Sequence, residues 1–219
     1  EIDIVKNYLE QKKSENLLLT DDFSDLILAS QHFSKSTNAD IIYAQQTYYG
    51  IPVHNAIGNF VLRNNSVKYA KYDYEVDLAS RISTQSPALT PEQALNTAST
   101  QLGIGNPTNI SIVGSKSSNN LILSKSGVSI DDIPVQLVYY KSESGVLNLA
   151  WDLSIHMIDG SHWWSVRVDA SNGRILDKMD WIVNCNFDHS TIVGRTFRTP
   201  SQIQETTGVN LLQEGAVYN

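Results

Sequence analysis

WDLSIHMIDGSHWWSVRVD, residues 151–169, reads as one β-hairpin, and its register decides how the second half of the chain folds. Asp-Gly between alternating apolar residues is the strongest short-range hairpin signal, so Asp159-Gly160 is read as a two-residue turn. Met157 then faces His162, Ile155 faces Trp164, Leu153 faces Val166 and Trp151 faces Val168, an apolar pair at every position except the histidine. The other face sets His156 against Trp163, Ser154 against Ser165, and Asp152 against Arg167 as a cross-strand ion pair. A one-residue slip would oppose Asp152 to Val168 and Leu153 to Arg167 and scramble both faces, so pattern and turn agree. Successive strand side chains point to opposite faces. His156 and His162 therefore cannot share a metal ion, Trp164 faces inward and Trp163 outward.

Strand patterns continue on both sides of the hairpin. Leu121–Leu123 and Pro134–Lys141 precede its arms at Leu147–Ile158 and His162–Ala170, and Arg174–Val183 follows a Ser-Asn-Gly turn at 171–173. Upstream, LTPEQALNTASTQLGIG (89–105) is the clearest helix. Thr90 is the N-cap, Pro91 occupies the first helical position, Gln93 completes a capping box and Gly103 ends the helix. Ala94, Leu95, Ala98 and Leu102 form a narrow stripe of small apolar residues suited to close packing on a sheet. Residues 106–120 read as a weak strand and loop. A helix followed by successive hairpins implies an antiparallel sheet with the helix on one face.

The first half begins with EIDIVKNYLEQKK, where Ile2, Val5 and Tyr8/Leu9 recur at helical spacing. A second helix is expected within DDFSDLILASQHF (21–33), capped by Asp22 and burying Phe23, Leu26, Ile27 and Phe33. From Ile41 to Ala79, Tyr, Val and Ile predominate between turn signals at Gly50-Ile51-Pro52 and Asn64-Asn65-Ser66, giving strand, turn, strand, turn, strand. In VKYAKYDYEV (67–76) the apolar residues change face midway, which predicts a bulge or twist near Lys71.

The chain has 219 residues, 41% hydrophobic, enough to bury a core. Its net charge of −7, with no basic run, argues against a surface that tracks nucleic-acid phosphates. A single cysteine, Cys185, rules out an intrachain disulfide. No apolar run reaches the ~18 residues of a membrane span, and no basic-then-apolar leader opens the chain.

Catalytic signatures are missing as well. His32, His54, His156, His162 and His189 precede Phe, Asn, Met, Trp and Ser, so there is no His-Glu-x-x-His, and no Gly-x-Ser-x-Gly elbow occurs. Gly103-Ile104-Gly105 lacks the preceding strand of a dinucleotide loop. Asp21-Asp22 and Asp131-Asp132 suit a cap and a solvated turn better than an acid/base pair. Asn184 to His189 is the one remaining cluster of soft and nitrogen ligands, most simply a lone thiol and a solvated histidine in a polar, aperiodic tail. No catalytic, cofactor or metal site is expected in this chain.

Tyr43-Ala-Gln-Gln-Thr-Tyr-Tyr-Gly-Ile-Pro-Val53, followed by a small-residue turn and a strand, resembles the propeptide block shared by precursors of fungalysin and thermolysin-type metalloproteases. The hairpins through WDLSIHMIDGSHWWSVRVDASNGRILD resemble the PepSY module that follows in those precursors. The two cover roughly 17–183 in the right order, and DWIVNCNFD resembles the segment just before the mature protease begins. The residues carrying the resemblance are Gln46, Gly50, Ile51, Pro52, Val53, Trp151, Trp164 and Gly173. In that block Gly50 can take a positive φ that is closed to Tyr49, and Pro52 pushes its pairing toward a sheet edge. Asn64-Asn65-Ser66 replaces the usual Asp-Gly of the first hairpin and still suits a turn.

The resemblance implies an α+β fold of two small antiparallel-sheet modules in tandem, the second a helix packed on a sheet (PepSY/cystatin-like). The implied divisions are an N-terminal helical segment (1–36), a propeptide-type strand module (37–86), a PepSY-like module (87–183) and a linker (184–219). It further implies the propeptide of a secreted zinc endopeptidase, a folding chaperone and cleft-blocking inhibitor for a C-terminal catalytic domain that holds the zinc. Tyr139, Tyr140, Trp163, Asn184 and Cys185 would contact the protease, and Cys185 or His189 could reach its zinc as a switch ligand. The alternative is a free-standing secreted binding or inhibitor module of PepSY type.

Overall fold

Two hairpin-built sheets and three helices make up the described part of the chain, residues 1–82 and 84–182 of a computed structural model. The first half contains α1 (Ile2–Lys12), a 3-10 turn (Thr20–Asp22), β1 (Ile27–Ser34), β2 (Ala39–Tyr48), β3 (Ile51–Arg63), β4 (Ser66–Lys71) and the short α2 (Leu78–Arg81). The second half contains α3 (Pro91–Leu102), β5 (Ile112–Ser117), β6 (Asn120–Leu123), β7 (Ile133–Lys141), β8 (Leu147–His156), β9 (Trp163–Asp169) and β10 (Ile175–Asp180). The expected linker at 184–219, with Asn184, Cys185 and His189, lies outside the described residues.

The hairpin of β8 and β9 has the register that its pattern demands. Asp152 pairs with Arg167, Leu153 with Val166, Ile155 with Trp164 and His156 with Trp163. Its turn is longer than expected. The Met157 amide donates to His162 O (3.0 Å) and the Gly160 amide to Met157 O (2.9 Å), so Ile158–Ser161 form a four-residue loop with Gly160 at φ 68°. An even loop length preserves parity, which is why the faces come out as predicted.

Helix α3 forms as its caps dictate. Gln93 N donates to Thr90 Oγ1 (3.3 Å), Thr90 N donates to Gln93 Oε1 (2.9 Å), and Gly103 closes the helix at φ 69°. Ala94, Leu95 and Ala98 are buried against the core face of β8 and β9. Trp151 lies in that core and its Nε1 donates to Leu89 O (2.8 Å), tying the approach to α3 onto the sheet.

The second helix expected within residues 21–33 does not form. Only the 3-10 turn precedes β1, which pairs antiparallel with β2; Phe23 and Leu26 are buried, whereas Ile27 and Phe33 are exposed. The free edge of β2 satisfies this segment's backbone groups and overrides its weak helical periodicity. Asp22 is a cap after all, but of a distant helix. Its carboxylate accepts from the amides of Leu78 (2.8 Å) and Asp77 (2.9 Å) at the start of α2, and from Leu19 N (2.8 Å).

Both turns expected between residues 41 and 79 use positive φ. Asn64 (φ 51°) and Asn65 (φ 54°) make a two-residue turn between β3 and β4. Tyr49 (φ 50°) and Gly50 (φ 72°) do the same between β2 and β3, so Tyr49 takes the conformation expected of Gly50 alone. The β3–β4 irregularity falls at Lys68, between the pairs Val61–Tyr69 and Leu62–Val67, and β4 has ended by Lys71 where the bulge was predicted.

Pro52 does not mark an edge. It stands at the start of β3, which lies between β2 and β7, and pairing with β2 breaks just beyond it, from Thr47–Pro52 to Gln45–Ile57. On its other edge β3 pairs in parallel with β7 at Val53 and Tyr139, joining the two sheets in the order β1-β2-β3-β7-β8-β9-β10. The amide of Gln45 donates to Val53 O (2.7 Å) and Ala56 O (3.1 Å), carbonyls that β2 would otherwise have served. The architecture is α+β and rich in antiparallel pairing. The boundary expected at 86/87 falls between α2 and α3, within one unit spanning Glu1–Ile182.

Fully buried Gln46 donates to Asp22 O (2.8 Å) and Glu75 O (2.7 Å) and accepts from Glu75 N (2.9 Å). Gln46→Ala strands these groups away from water and is expected to lower urea-denaturation stability by about 2–4 kcal/mol; a change below measurement error would contradict that role. Tyr49→Asn, which suits φ > 0 in such a turn, is expected to raise stability by about 0.5–1 kcal/mol in the same measurement.

Candidate functional site

On the face opposite α3, four ionisable side chains run in a row across the joined sheet: His54 on β3, Asp152 on β8, Arg167 on β9 and Asp177 on β10. They line a cleft of about 460 Å³ whose walls include Gln136, Ser154, Met179 and Trp181. Strand alternation puts Asp152, Arg167 and Asp177 on this face. His54 joins them because Val53 turns inward to the core beside Tyr139 and the next side chain must turn outward.

Arg167 anchors the row. Its side chain is only 4% exposed. Nη1 donates to Ser165 Oγ (2.6 Å), while Nη2 donates to Ser165 O (3.1 Å) and Asp177 Oδ2 (2.6 Å). The expected partner Asp152 sits further off, with Oδ1 3.5 Å from Nη1 and Oδ2 3.9 Å from His54 Nδ1. Among the described residues, Asp152 Oδ1 and Arg167 Nε are buried without a hydrogen-bond partner. Burial pushes the Asp152 carboxyl up to about 6; the Arg167 charge offsets part of this and the Asp177 charge adds to it. Burial also holds His54 below the usual histidine range, helped by the nearby Arg167 charge.

The cleft has an aromatic rim. Trp163 (37% exposed) stacks on His156 at 4.8 Å, meets Trp181 (50% exposed) edge-on at 5.2 Å, and donates from Nε1 to Ser154 Oγ (2.9 Å). His156 Nδ1 lies 3.3 Å from Asp131 Oδ2. His162 stacks on Trp164 at 4.9 Å, with Nδ1 2.5 Å from Asp180 Oδ2, so the two hairpin histidines serve separate clusters. Ser154 and Ser165 are engaged by Trp163 and Arg167, so neither hydroxyl is presented to His54 as a nucleophile would be.

Of the residues expected to meet a protease, Trp163 lies on this open face. Tyr140 shares the face and contacts His54 at 5.6 Å between rings. It is no neighbour of Trp163, however, because their partners on β8, Asn148 and His156, stand eight positions apart, roughly 26 Å at ~3.3 Å per residue. Tyr139 is fully buried on the core side and unavailable to any partner; adjacent strand residues cannot share a face. Asn184, Cys185 and His189 lie outside the described residues. Ile51 and Val53 are core residues, Trp164 packs at the core's margin, and Gly173 sits at φ 81°, where a Cβ would come within 3.1 Å of Thr97. His54 was missed in the sequence: its parity was legible, but the long-range β3–β7 contact that brings it to Asp152 has no local signal.

No protein-family model matches the chain, and no curated protein does. Among solved structures, the YpeB C-terminal domain of Bacillus megaterium is similar at 10% identity with a TM-score of 0.35, covering 82% of this chain and 65% of its own. A protein described as a lipoprotein, from Clostridium difficile 630, is similar at 10% identity with a TM-score of 0.26, covering 80% of this chain and 91% of its own. The chain thus spans just under two thirds of the first of these. Neither likeness bears on function. No helix among the described residues is long and apolar enough to cross a membrane.

The raised carboxyl of Asp152 has a consequence for stability. Between its ordinary value of 3.8 and about 6 the folded state holds a proton that the unfolded state has lost. Folding stability from this group is therefore full below about pH 4 and is lost as pH rises through about 6. Asp152→Asn removes the penalty and is expected to be more stable than wild type at pH 7.5, by on the order of 2 kcal/mol, and equal to it near pH 3.5. Thermal melts across this range check both ends; no gain at neutral pH would contradict the burial cost.

Proposed function

We propose that this chain is the propeptide of a secreted, fungalysin-type zinc endopeptidase, built from a propeptide strand block and a PepSY-type sheet. In this reading it assists folding of the catalytic domain and blocks its cleft until the connection is cut. The observation that carries the reading beyond sequence resemblance is the open sheet face. It bears a polar cleft rimmed by two mutually packed, half-exposed tryptophans, and aromatic anchors of this kind concentrate binding energy at interfaces.

The energetics suit a covalently joined inhibitor. Tethering supplies roughly millimolar effective concentration, so a micromolar site is ~99.9% occupied before cleavage and empties on dilution afterwards. Tight binding is unnecessary. A protease that persists outside the cell has a high unfolding barrier, and a template that lowers the matching folding barrier acts as a chaperone. The catalytic zinc belongs to the protease in this reading, and this chain needs no cofactor. Cys185 and His189 remain candidates for a switch ligand on that zinc.

A free-standing secreted module that binds a separate protease is the second reading, supported by the same open face. The coding sequence beyond Asn219 separates the two: an in-frame His-Glu-x-x-His supports the precursor, and an immediate stop codon removes it. Added in trans to the mature protease, the chain is expected to inhibit peptide cleavage at micromolar concentration, and Trp163→Ala to weaken inhibition by about tenfold or more. Full protease activity at high micromolar concentrations of the chain would overturn cleft blocking.

A further inference from the structure

The row across the open face is unevenly satisfied. Both Nη groups of Arg167 are engaged by Ser165 and Asp177, its Nε is buried, and its side chain is almost wholly covered. Asp152 has no comparable partner. One oxygen is sealed beneath, 3.5 Å from Arg167, and the other looks toward His54 across 3.9 Å, a distance without a hydrogen bond. A half-buried carboxylate with one oxygen unpartnered among the described residues, at the base of an open cleft of about 460 Å³, calls for a donor from outside. The half-exposed Trp181 ring and Met179 in the walls add apolar surface for a long stem and a π-face for a cation.

We propose that the cleft over Asp152 is a subsite for a basic side chain, a lysine or arginine projecting from the polypeptide that docks on this face. Which polypeptide that is rests on the propeptide reading; the chemistry of the subsite does not. The charged or titratable groups facing Asp152 are His54 from β3, Arg167 from β9, Asp177 from β10 and Lys116 from β5, while β7 contributes the neutral Gln136. An incoming carboxylate would meet two aspartates and an arginine whose Nη groups already serve Ser165 and Asp177 and whose Nε is buried. An incoming cation meets Asp152, which is only partly compensated by Arg167 at 3.5 Å, and burial holds His54 beside it below the usual histidine range. Because the free carboxyl retains its proton up to about pH 6, the cation displaces a proton below that value and binds less tightly there.

The test uses the full chain and two tripeptides, acetyl-Ala-Arg-Ala-amide and its citrulline counterpart, which has nearly the same shape without the charge. Titrations follow the indole N–H signals of Trp181 and Trp163 by NMR at pH 7.5 and pH 5. The arginine peptide is expected to saturate a shift at Trp181, to bind at least tenfold tighter than the citrulline peptide, and to lose several-fold in affinity at pH 5. Asp152→Asn should reduce the arginine peptide to the citrulline level at both pH values. Equal binding of the two peptides, unchanged binding to Asp152→Asn, or no saturable shift overturns the proposal. Inhibition of the mature protease in trans judges the propeptide reading separately, since wild type can fail there while the charge-dependent peptide result stands.

Discussion

The side chain of Gln45 serves the place where β3 parts from β2, beside the bridge at Val53 that joins the two hairpin sheets. Strand partners normally satisfy each other's carbonyls. Between Pro52 and Ile57 β3 gives up that service, and one amide group takes over Val53 O and Ala56 O. On its other edge, short of the stretch from Asn59 that pairs with β4, β3 meets β7 at Val53 and Tyr139. A pair of hairpin sheets thereby becomes one continuous surface. Gln46, the adjacent residue on the opposite face, binds the 3-10 turn and the segment before α2 into the same structure.

Once the sheets are joined, their two faces take different roles. On one side the small residues of α3 bring it close to β8 and β9, with Trp151 between sheet and helix lead-in. On the other, His54, Asp152, Arg167 and Asp177 come into line under a cleft. The balance within that line follows from desolvation. Arg167 is buried and its Nη groups are bonded by Ser165 and Asp177, while Asp152 has the Arg167 charge at 3.5 Å and no comparably short hydrogen bond to it. Burial outweighs that charge, which is why the carboxyl is raised instead of lowered.

Ser154 and Ser165 are engaged by Trp163 and Arg167, and the aromatic rim offers area with little conformational freedom to lose. The proposed propeptide role asks only modest affinity of such a surface, because a covalent connection supplies concentration.

Local patterns carried much of the fold. The alternation in 151–169 specified both faces of the hairpin even though its loop proved two residues longer than read, since an even difference leaves parity intact. Thr90, Pro91, Gln93 and Gly103 specified α3 through groups within hydrogen-bonding reach along the chain. Where the outcome hung on distant partners, local reading failed. Residues 27–34 became a strand because β2 had a free edge to offer, Asp22 capped a helix more than fifty residues away, and Tyr49 accepted a left-handed turn that the flanking strands required. The meeting of His54 with Asp152 belongs to the same class. Parity along each strand is a property of neighbouring residues and can be read from them; which faces are brought side by side depends on contacts between segments far apart in the chain, and those exist only once the sheet has closed.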